Sequence, residues 1–112
     1  MKLLTGKKFK INNKNTSNIV RINYCRGCRW LHRAAWMAQE LLITFSEELN
    51  GASIITGDKG EFSIFLNQDL IFSRKEKGRF PELKEIKNLI RDILIPEKEL
   101  GHSELDHLET KD

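Results

Sequence analysis

The sequence predicts an α/β fold, more narrowly an α+β sandwich in which two helices cover a small four-stranded mixed sheet. Two observations support this fold class. Apolar residues alternate in four short segments, and they recur at steps of three and four in two longer segments. The segments follow the order β-α-β-β-β-α. Because the first strand is joined to the second through a helix, we expect these two strands to be parallel with a right-handed crossover.

The first strand and the long helix come at the start of the predicted domain. The strand covers residues 19–24, where Val20, Ile22 and Tyr24 share one face. The helix covers residues 29–49, because no Pro or Gly interrupts this span and an Asn-Gly pair follows it. Its predicted apolar stripe comprises Leu31, Ala35, Ala38, Leu42, Phe45 and Leu49.

Three strands and a second helix complete the predicted sheet and its cover. The strands occupy residues 52–56, 61–66 and 69–74. A charged loop at 75–79 separates them from the helix at 82–94, which Pro81 precedes and Pro96 ends. The apolar face of this helix comprises Leu83, Ile86, Ile90 and Ile93.

The two ends of the chain differ in charge from the predicted domain at residues 18–96. Residues 1–17 contain five lysines and no acid, and residues 97–112 contain six acids and two lysines. We interpret them as a flexible basic arm and an acidic C-terminal tail. A solvated tail is the commoner role of such a run, so we expect no nucleic-acid partner.

No segment has the composition of a membrane span or a secretion signal. The longest apolar run, at residues 41–43, is far shorter than the roughly 20 residues that cross a bilayer. The N-terminus lacks the apolar core of about 7–15 residues that a signal peptide needs. The sequence therefore predicts a cytoplasmic protein without a membrane partner.

Cys25 and Cys28 are the only cysteines, and they form a C-x-x-C motif at the junction between the first strand and the long helix. Because the cytosol keeps thiols reduced, disulfides there are usually catalytic or sensing. Open α/β sheets also tend to place their sites at the carboxyl ends of strands. The motif therefore predicts a redox-active pair, in which one thiolate attacks a disulfide and the other resolves the mixed disulfide.

Five neighbouring residues are predicted to tune the thiols or to contact substrate. Arg26, Arg29 and Arg33 supply positive charge, which favours the thiolate, as does the start of a helix. Gly27 lets the loop turn tightly. Trp30 borders the site and is expected to lie near substrate.

Other interpretations of the two cysteines remain open. A structural zinc site needs four ligands, and the remaining candidates, His102 and His107, lie far along the chain in the acidic tail. We therefore predict no metal site. The pair is also compatible with two inert buried thiols. A non-enzymatic redox sensor or adaptor, whose oxidation gates partner binding, is the alternative function, and catalytic turnover separates it from an enzyme.

Several stretches resemble the selenoprotein W/T/H (Rdx) family. The pattern Y-C-x-x-C-x-W-L-x-R-A at residues 24–34 leads into Q-E-L-L-x-x-F at 39–45. The later stretches G-x-F at 60–62 and R-K-x-x-G-x-F-P at 74–81 are similar to bacterial, cysteine-containing members. The resemblance implies a thioredoxin-like fold, although neither Pro81 nor Pro96 is placed to serve as the cis-proline that faces the thiols in thioredoxin.

The resemblance also implies a chemistry and partners. It suggests a glutathione- or thioredoxin-linked antioxidant or oxidoreductase role, with protein or small-molecule thiols and disulfides as partners. Glutathione would then be a co-substrate, and no cofactor is implied. Family members with selenocysteine carry it at the position of Cys28, which favours Cys28 as the attacking thiol. The helix-terminus argument favours Cys25 as the more exposed thiol, so the assignment stays open, as does homo-oligomerisation.

Overall fold

Four strands form one mixed sheet in the computed structural model, which describes residues 17–100. The sheet order is β2-β1-β3-β4, with β2 parallel to β1 and the other neighbours antiparallel. The basic arm and most of the acidic tail, including both tail histidines, lie outside the described residues. The strands are β1 (Ile19–Cys25), β2 (Gly51–Gly57), β3 (Phe62–Leu66) and β4 (Asp69–Ser73).

The helices confirm the predicted element order and correct its boundaries. α1 (Leu31–Thr44) connects β1 to β2, and α3 (Leu83–Leu94) follows the sheet. The long helix therefore begins two residues later and ends five residues earlier than the predicted 29–49. A four-residue helix, α2 (Arg74–Lys77), occupies part of the predicted charged loop. The Ser73 hydroxyl accepts a hydrogen bond from the N–H of Glu76 at 3.4 Å, which ends β4 and starts α2.

The core lies between one face of the sheet and the two longer helices. Val20, Ile22 and Tyr24 are buried, as the alternation in β1 predicts. The same alternation buries three side chains of β3. α1 packs against β1, β2 and α3, so both helices cover the same face. The β3 residues are Phe62, Ile64 and Leu66.

The predicted stripe of α1 is partly wrong. Leu31 is 50% exposed, whereas Ala34 and Leu41 are fully buried. Apolar residues cover more than half of this helix, so spacing alone did not select the face that meets the sheet. In α3 the predicted Ile86 and Ile90 are buried, but Ile93 is 55% exposed. The buried face of α1 comprises Ala34, Met37, Ala38 and Leu41.

The connection from α2 to α3 is held by backbone geometry and one ion pair. Gly78 adopts a left-handed conformation, with φ of 76°, and ends α2. Glu82 and Glu85 form a capping box at the start of α3. Arg79 contacts Glu85 at 2.8 Å, and this hydrogen bond lowers the pKa of the Glu85 carboxyl. The connection brings α2 and Phe80 beside the C-x-x-C turn.

Between residues 17 and 100, no helix has both the length and the apolar character needed to cross a membrane. The cytoplasmic location stays a prediction. At the other end of the described chain, Lys98 pairs with Glu48 at 3.4 Å and Leu100 is buried in the core. The domain boundary predicted at residue 97 also stays a prediction.

Candidate functional site

Cys25 and Cys28 form a disulfide at the carboxyl end of β1. Their Cα atoms are 5.4 Å apart, within the ordinary range for a disulfide. Cys25 is the last residue of the strand, and its N–H donates a hydrogen bond to the carbonyl of Glu61 at 2.8 Å. One thiol position is therefore held by the sheet, while the other lies in the turn that follows.

The conformational demand of this turn falls on Arg29. The N–H of Arg29 donates to the carbonyl of Arg26 at 3.2 Å, which closes the turn. Arg29 has a φ of 62°, in the left-handed region where a residue with a Cβ costs on the order of 1 kcal/mol. A Cβ added to Gly27 would meet no atom within 4 Å. Steric crowding therefore does not require glycine at position 27, and its predicted role in letting the loop turn tightly stays a prediction.

The two cysteines differ in accessibility. Cys25 is 4% exposed, and Cys28 is partly exposed. The expectation that Cys25 is the more exposed thiol is therefore wrong, because β1 carries Cys25 into the covered edge of the sheet. Cys28 is therefore the more accessible of the two cysteines. The helix-terminus argument and the resemblance now favour the same cysteine.

The start of α1 leaves its positive end without a neutralising group. Trp30 is the N-cap residue, and no side chain caps the helix there. The first turn contains no acid. The field of a helix terminus falls off within about one turn. α1 begins three residues after Cys28, so its field is weakened there. The positive charges of the flanking arginines add to this field at the cysteine.

Two open clefts flank the turn. One, of about 370 Å³, is lined by Arg26, Gly27, Gly57 and Lys59 together with both cysteines. The sequence did not indicate Lys59, which comes from the loop after β2. The other cleft has a volume of about 360 Å³. It is lined by Arg29, Trp30, His32, Arg33 and Trp36.

An aromatic cluster joins this turn to the segment at residues 74–80. Trp30 makes edge-to-face contacts with Phe62 and Phe80, at ring-centroid distances of 6.4 and 4.7 Å. The guanidinium carbon of Arg33 lies 3.8 Å from the centroid of Phe80. Arg74 lies 4.7 Å from the same ring and 4.8 Å from Trp30. The structure thus brings Trp30 and Arg33 together through two residues that the sequence did not place in the site.

Glu61 supports the loop that faces the disulfide. Its carboxylate accepts hydrogen bonds from the N–H of Asp58 at 2.8 Å and from the amide of Asn23 at 3.4 Å. Burial acts to raise the pKa of Glu61. The hydrogen bonds, together with the charge of Lys75, outweigh burial and lower this pKa. A Cβ on Gly57 would approach the Glu61 Cδ atom to 2.8 Å, so glycine leaves room for this carboxylate.

We expect Glu61→Gln to destabilise the protein near neutral pH and to have little effect in acid. A carboxyl whose pKa is lowered by folding stabilises the folded state above its unfolded pKa. That contribution is lost as the pH falls through the folded pKa. The difference in free energy of unfolding between wild type and variant should therefore shrink below the ordinary value of 4.5. Urea titrations near neutral pH and at about pH 3.5 measure it. A difference independent of pH would contradict the assignment.

Within residues 17–100 no cluster of three or more His, Cys, Asp or Glu residues is arranged to hold a metal ion. The histidines required for a zinc site lie outside the described residues. The chemistry that the described site can perform is thiol–disulfide exchange, because it contains two sulfur atoms at bonding distance in an open basic setting.

A protein-family model for the Rdx family matches residues 19–92. The chain belongs to the Rdx family. Its fold is similar to that of a selenoprotein W-related protein from Vibrio cholerae, with a TM-score of 0.67 and 44% identity over 70% of this chain and 98% of that one. A protein from Bordetella parapertussis is similar to the same degree, with a TM-score of 0.67 and 44% identity over 70% of this chain and 99% of that one. These findings confirm the resemblance to bacterial Rdx members.

The comparison with curated proteins gave no match. Rdx membership and the Cys25–Cys28 disulfide fit a thiol redox role. The structural neighbours confirm the mixed four-stranded α+β fold that the sequence predicts, with its thioredoxin-like order of elements. The roles assigned to individual site residues stay predictions.

Proposed function

We propose that this Rdx protein is a thiol–disulfide oxidoreductase that reduces disulfides with its C-x-x-C pair. The observation that carries the proposal is the asymmetry of the Cys25–Cys28 disulfide, which joins a buried residue of the sheet to a partly exposed residue of the turn. Disulfide reductants use this asymmetry, since one thiol must meet the substrate and the other must be held ready to resolve the mixed disulfide.

The proposed reaction begins with the reduced protein. The Cys28 thiolate attacks one sulfur of a substrate disulfide, and the other substrate sulfur leaves as a thiolate. The Cys25 thiolate then attacks the Cys28 sulfur, which closes the internal disulfide and releases the second substrate thiolate. Two electrons pass from the dithiol to the substrate. A low-molecular-weight thiol or a dithiol protein returns two electrons to the Cys25–Cys28 disulfide and completes the cycle.

Glutathione or a thioredoxin is the reductant that we infer for this cycle. Arg26 and Lys59 line the cleft that opens on both cysteines. Two cations that line the same cleft as the disulfide suit the carboxylates of glutathione. Charge-assisted hydrogen bonds to them would hold glutathione beside the reacting sulfur. Arg26 and Lys59 are therefore proposed to contact the reductant, whereas Cys25 and Cys28 are the catalytic residues.

The test is turnover of a protein disulfide with glutathione as the electron donor. Wild type is expected to accelerate reduction, and the double variant Cys25→Ser/Cys28→Ser is expected to leave only the uncatalysed rate. The same samples should be equilibrated with defined ratios of reduced to oxidised glutathione, and the fraction of free thiol counted by alkylation and mass spectrometry. A pair that never changes oxidation state across the cellular range of about −180 to −320 mV would overturn the proposal.

A redox sensor is the second candidate, and exposed apolar side chains on the helix that follows the disulfide favour it. Trp36 is 49% exposed and Leu31 is 50% exposed, on the helix that follows the turn. A sensor would change its affinity for a partner on oxidation but would show no turnover. The turnover measurement therefore separates the two functions.

A further inference from the structure

We propose that the surface beside Cys28 docks an acidic, extended segment of a protein substrate and so selects protein disulfides with acidic flanks. This inference rests on the proposed disulfide reduction and names its substrate class. The basic-aromatic surface, as we term it, is formed by Arg29, Trp30, Arg33, Trp36, Arg74 and Phe80.

The charges of this surface have no carboxylate partners in the described chain. The ion pairs found between residues 17 and 100 use Arg79, Arg91 and Lys98 as their cations. Arg33 and Arg74 instead lie against the ring of Phe80, at 3.8 and 4.7 Å. A guanidinium stacked on an aromatic ring keeps its edge free to bind a carboxylate through two hydrogen bonds. Both guanidinium groups are therefore held in place by the ring of Phe80 and have no acidic partner among the described residues.

Arg74 provides a second, independent indication of a missing partner. Its Nε atom is buried and has no hydrogen-bond partner among the described residues. A buried donor on a charged group that is left unsatisfied costs free energy, and such groups are rare in folded proteins. Because the Nε atom itself is inaccessible, an arriving carboxylate would bind the exposed part of the Arg74 side chain and neutralise its charge. A partner that carries carboxylates is thus favoured over a neutral one.

The start of α1 contributes charge without any acid nearby. Residues 29–38 include Arg29, His32 and Arg33 and contain no Asp or Glu. Arg29 also adopts the left-handed backbone conformation at the point where the chain passes from the disulfide to the helix. A glycine or an asparagine would adopt this conformation at lower cost. The charge of Arg29 is the property that neither of them would supply.

The exposed ring of Trp36 favours an occupant larger than a simple inorganic anion. Trp36 is about half exposed and lines the same cleft as Arg29 and Arg33. A partner that covers this ring must combine carboxylates with apolar side chains, as a peptide segment does. Aromatic residues and arginine are also the types that dominate binding energy at protein interfaces.

The placement of the two clefts indicates the length of the occupant. The clefts have nearly equal volumes, about 370 and 360 Å³, and two consecutive residues line one cleft each, Cys28 the first and Arg29 the second. A small thiol would occupy one cleft. An extended segment, which advances about 3.3 Å per residue, would cross the turn and place residues in both, with its oxidised cysteine at Cys28. The occupant to which the proposal commits is therefore a protein segment.

The test compares two peptides of equal length that contain the same internal disulfide, one with acidic and one with basic flanking residues. A neutral small disulfide, 2-hydroxyethyl disulfide, reports the chemistry alone. Wild type is expected to reduce the acidic peptide with a kcat/KM at least about 10-fold higher than the basic peptide, because each charge-assisted hydrogen bond contributes about 1.5–3 kcal/mol. Raising the salt from about 50 to about 300 mM should reduce this preference.

Two variants locate the preference on the surface. Arg33→Glu should lower the ratio of kcat/KM for the acidic peptide to kcat/KM for the neutral disulfide by about 10-fold or more, because any effect of Arg33 on the thiolate changes both substrates and cancels in this ratio. Since Arg33 packs on Phe80, Arg29→Asn provides a second variant that removes a charge at a position where asparagine suits the backbone. Arg91→Glu on α3 is the charge-matched control and should leave the peptide preference unchanged.

Equal kcat/KM for the acidic and basic peptides would overturn the inference, as would an equal loss on the acidic peptide and the neutral disulfide in Arg33→Glu. If no disulfide is reduced at all, the proposed function fails. Binding of the acidic peptide still tests the surface in that case. The only two tryptophans, Trp30 and Trp36, both line it, so their fluorescence should change with the acidic peptide and not with the basic one.

Discussion

Replacing Cys25 with serine should produce a protein that accumulates as a mixed disulfide with its substrate, whereas replacing Cys28 with serine should abolish exchange. Cys28 is the more exposed of the two and lines the cleft beside Arg26 and Lys59. With Cys25 absent, the Cys28 thiolate still attacks, but nothing within the protein resolves the product. With Cys28 absent, the remaining thiol sits on a residue that is 4% exposed, so a substrate sulfur cannot approach it.

The measurement is non-reducing gel electrophoresis and intact-mass spectrometry after each single variant is incubated with an oxidised protein substrate. The Cys25→Ser variant should trap a covalent adduct that a reductant releases, and Cys28→Ser should remain unmodified. Turnover in Cys28→Ser should fall to the uncatalysed rate, whereas Cys25→Ser should turn over only as fast as an external thiol resolves its adduct. Adducts formed by Cys28→Ser and absent from Cys25→Ser would reverse the assignment of the attacking thiol and would leave the redox function itself intact.

The sheet could be predicted from the sequence because its strands carry their own pattern. In β1 the inward residues are large and apolar and are separated by Arg21 and Asn23, and in β3 they recur at every second position, so Ile22 and Phe62 could be assigned to the core directly. α1 offered no such contrast. Its apolar residues surround much of the helix, and only contact with β1 and β2 decides that Ala34 is buried while Leu31 is exposed.

The central part of the site could also be predicted, because C-x-x-C is local and its neighbours in sequence are its neighbours in space. The remaining part depends on tertiary contacts. Phe80 and Arg74 reach Trp30 from a segment more than forty residues away, through the α2 turn that the sequence suggested was a loop. Both residues lie in the stretch at 74–81 that resembles the family, and this was the one available indication that they belong near the cysteines.

The left-handed backbone conformation of Arg29 also could not be predicted from the sequence. A glycine two positions earlier was the natural candidate for the tight point of the turn, yet Gly27 has space around it and Arg29 has the positive φ. Patterns of residue types show where a turn occurs. The hydrogen bond from Arg29 to Arg26 and the start of α1 decide which residue bears its strain.

Phe62→Ala should be among the most destabilising single substitutions in the protein. The Phe62 side chain is fully buried, and it contacts Phe80 at a ring-centroid distance of 5.5 Å and Trp30 at 6.4 Å. Removing a buried phenylalanine costs about 3–5 kcal/mol. A small domain has only about 5–15 kcal/mol of stability in total, so this loss is a large fraction of it. The urea midpoint should fall by about 1–5 M, given a slope of about 1–3 kcal/mol per molar urea.

Phe65→Ala is the matched control in the same strand. Its ring lies on the opposite face of β3, where Arg21 covers it at 4.1 Å, and it is only half buried. Its loss removes part of a burial contribution and a partly exposed cation–π contact of about 0.5–1 kcal/mol. Equal destabilisation by the two alanine substitutions would contradict the assignment of the core to the face of the sheet that the helices cover.

The milder substitution Phe62→Leu should remain folded and can test the site, since Phe62 also contacts Trp30 beside the disulfide. We expect it to weaken binding of the acidic peptide more than it slows reduction of the neutral disulfide. The reason is that it loosens the basic-aromatic surface without changing either cysteine.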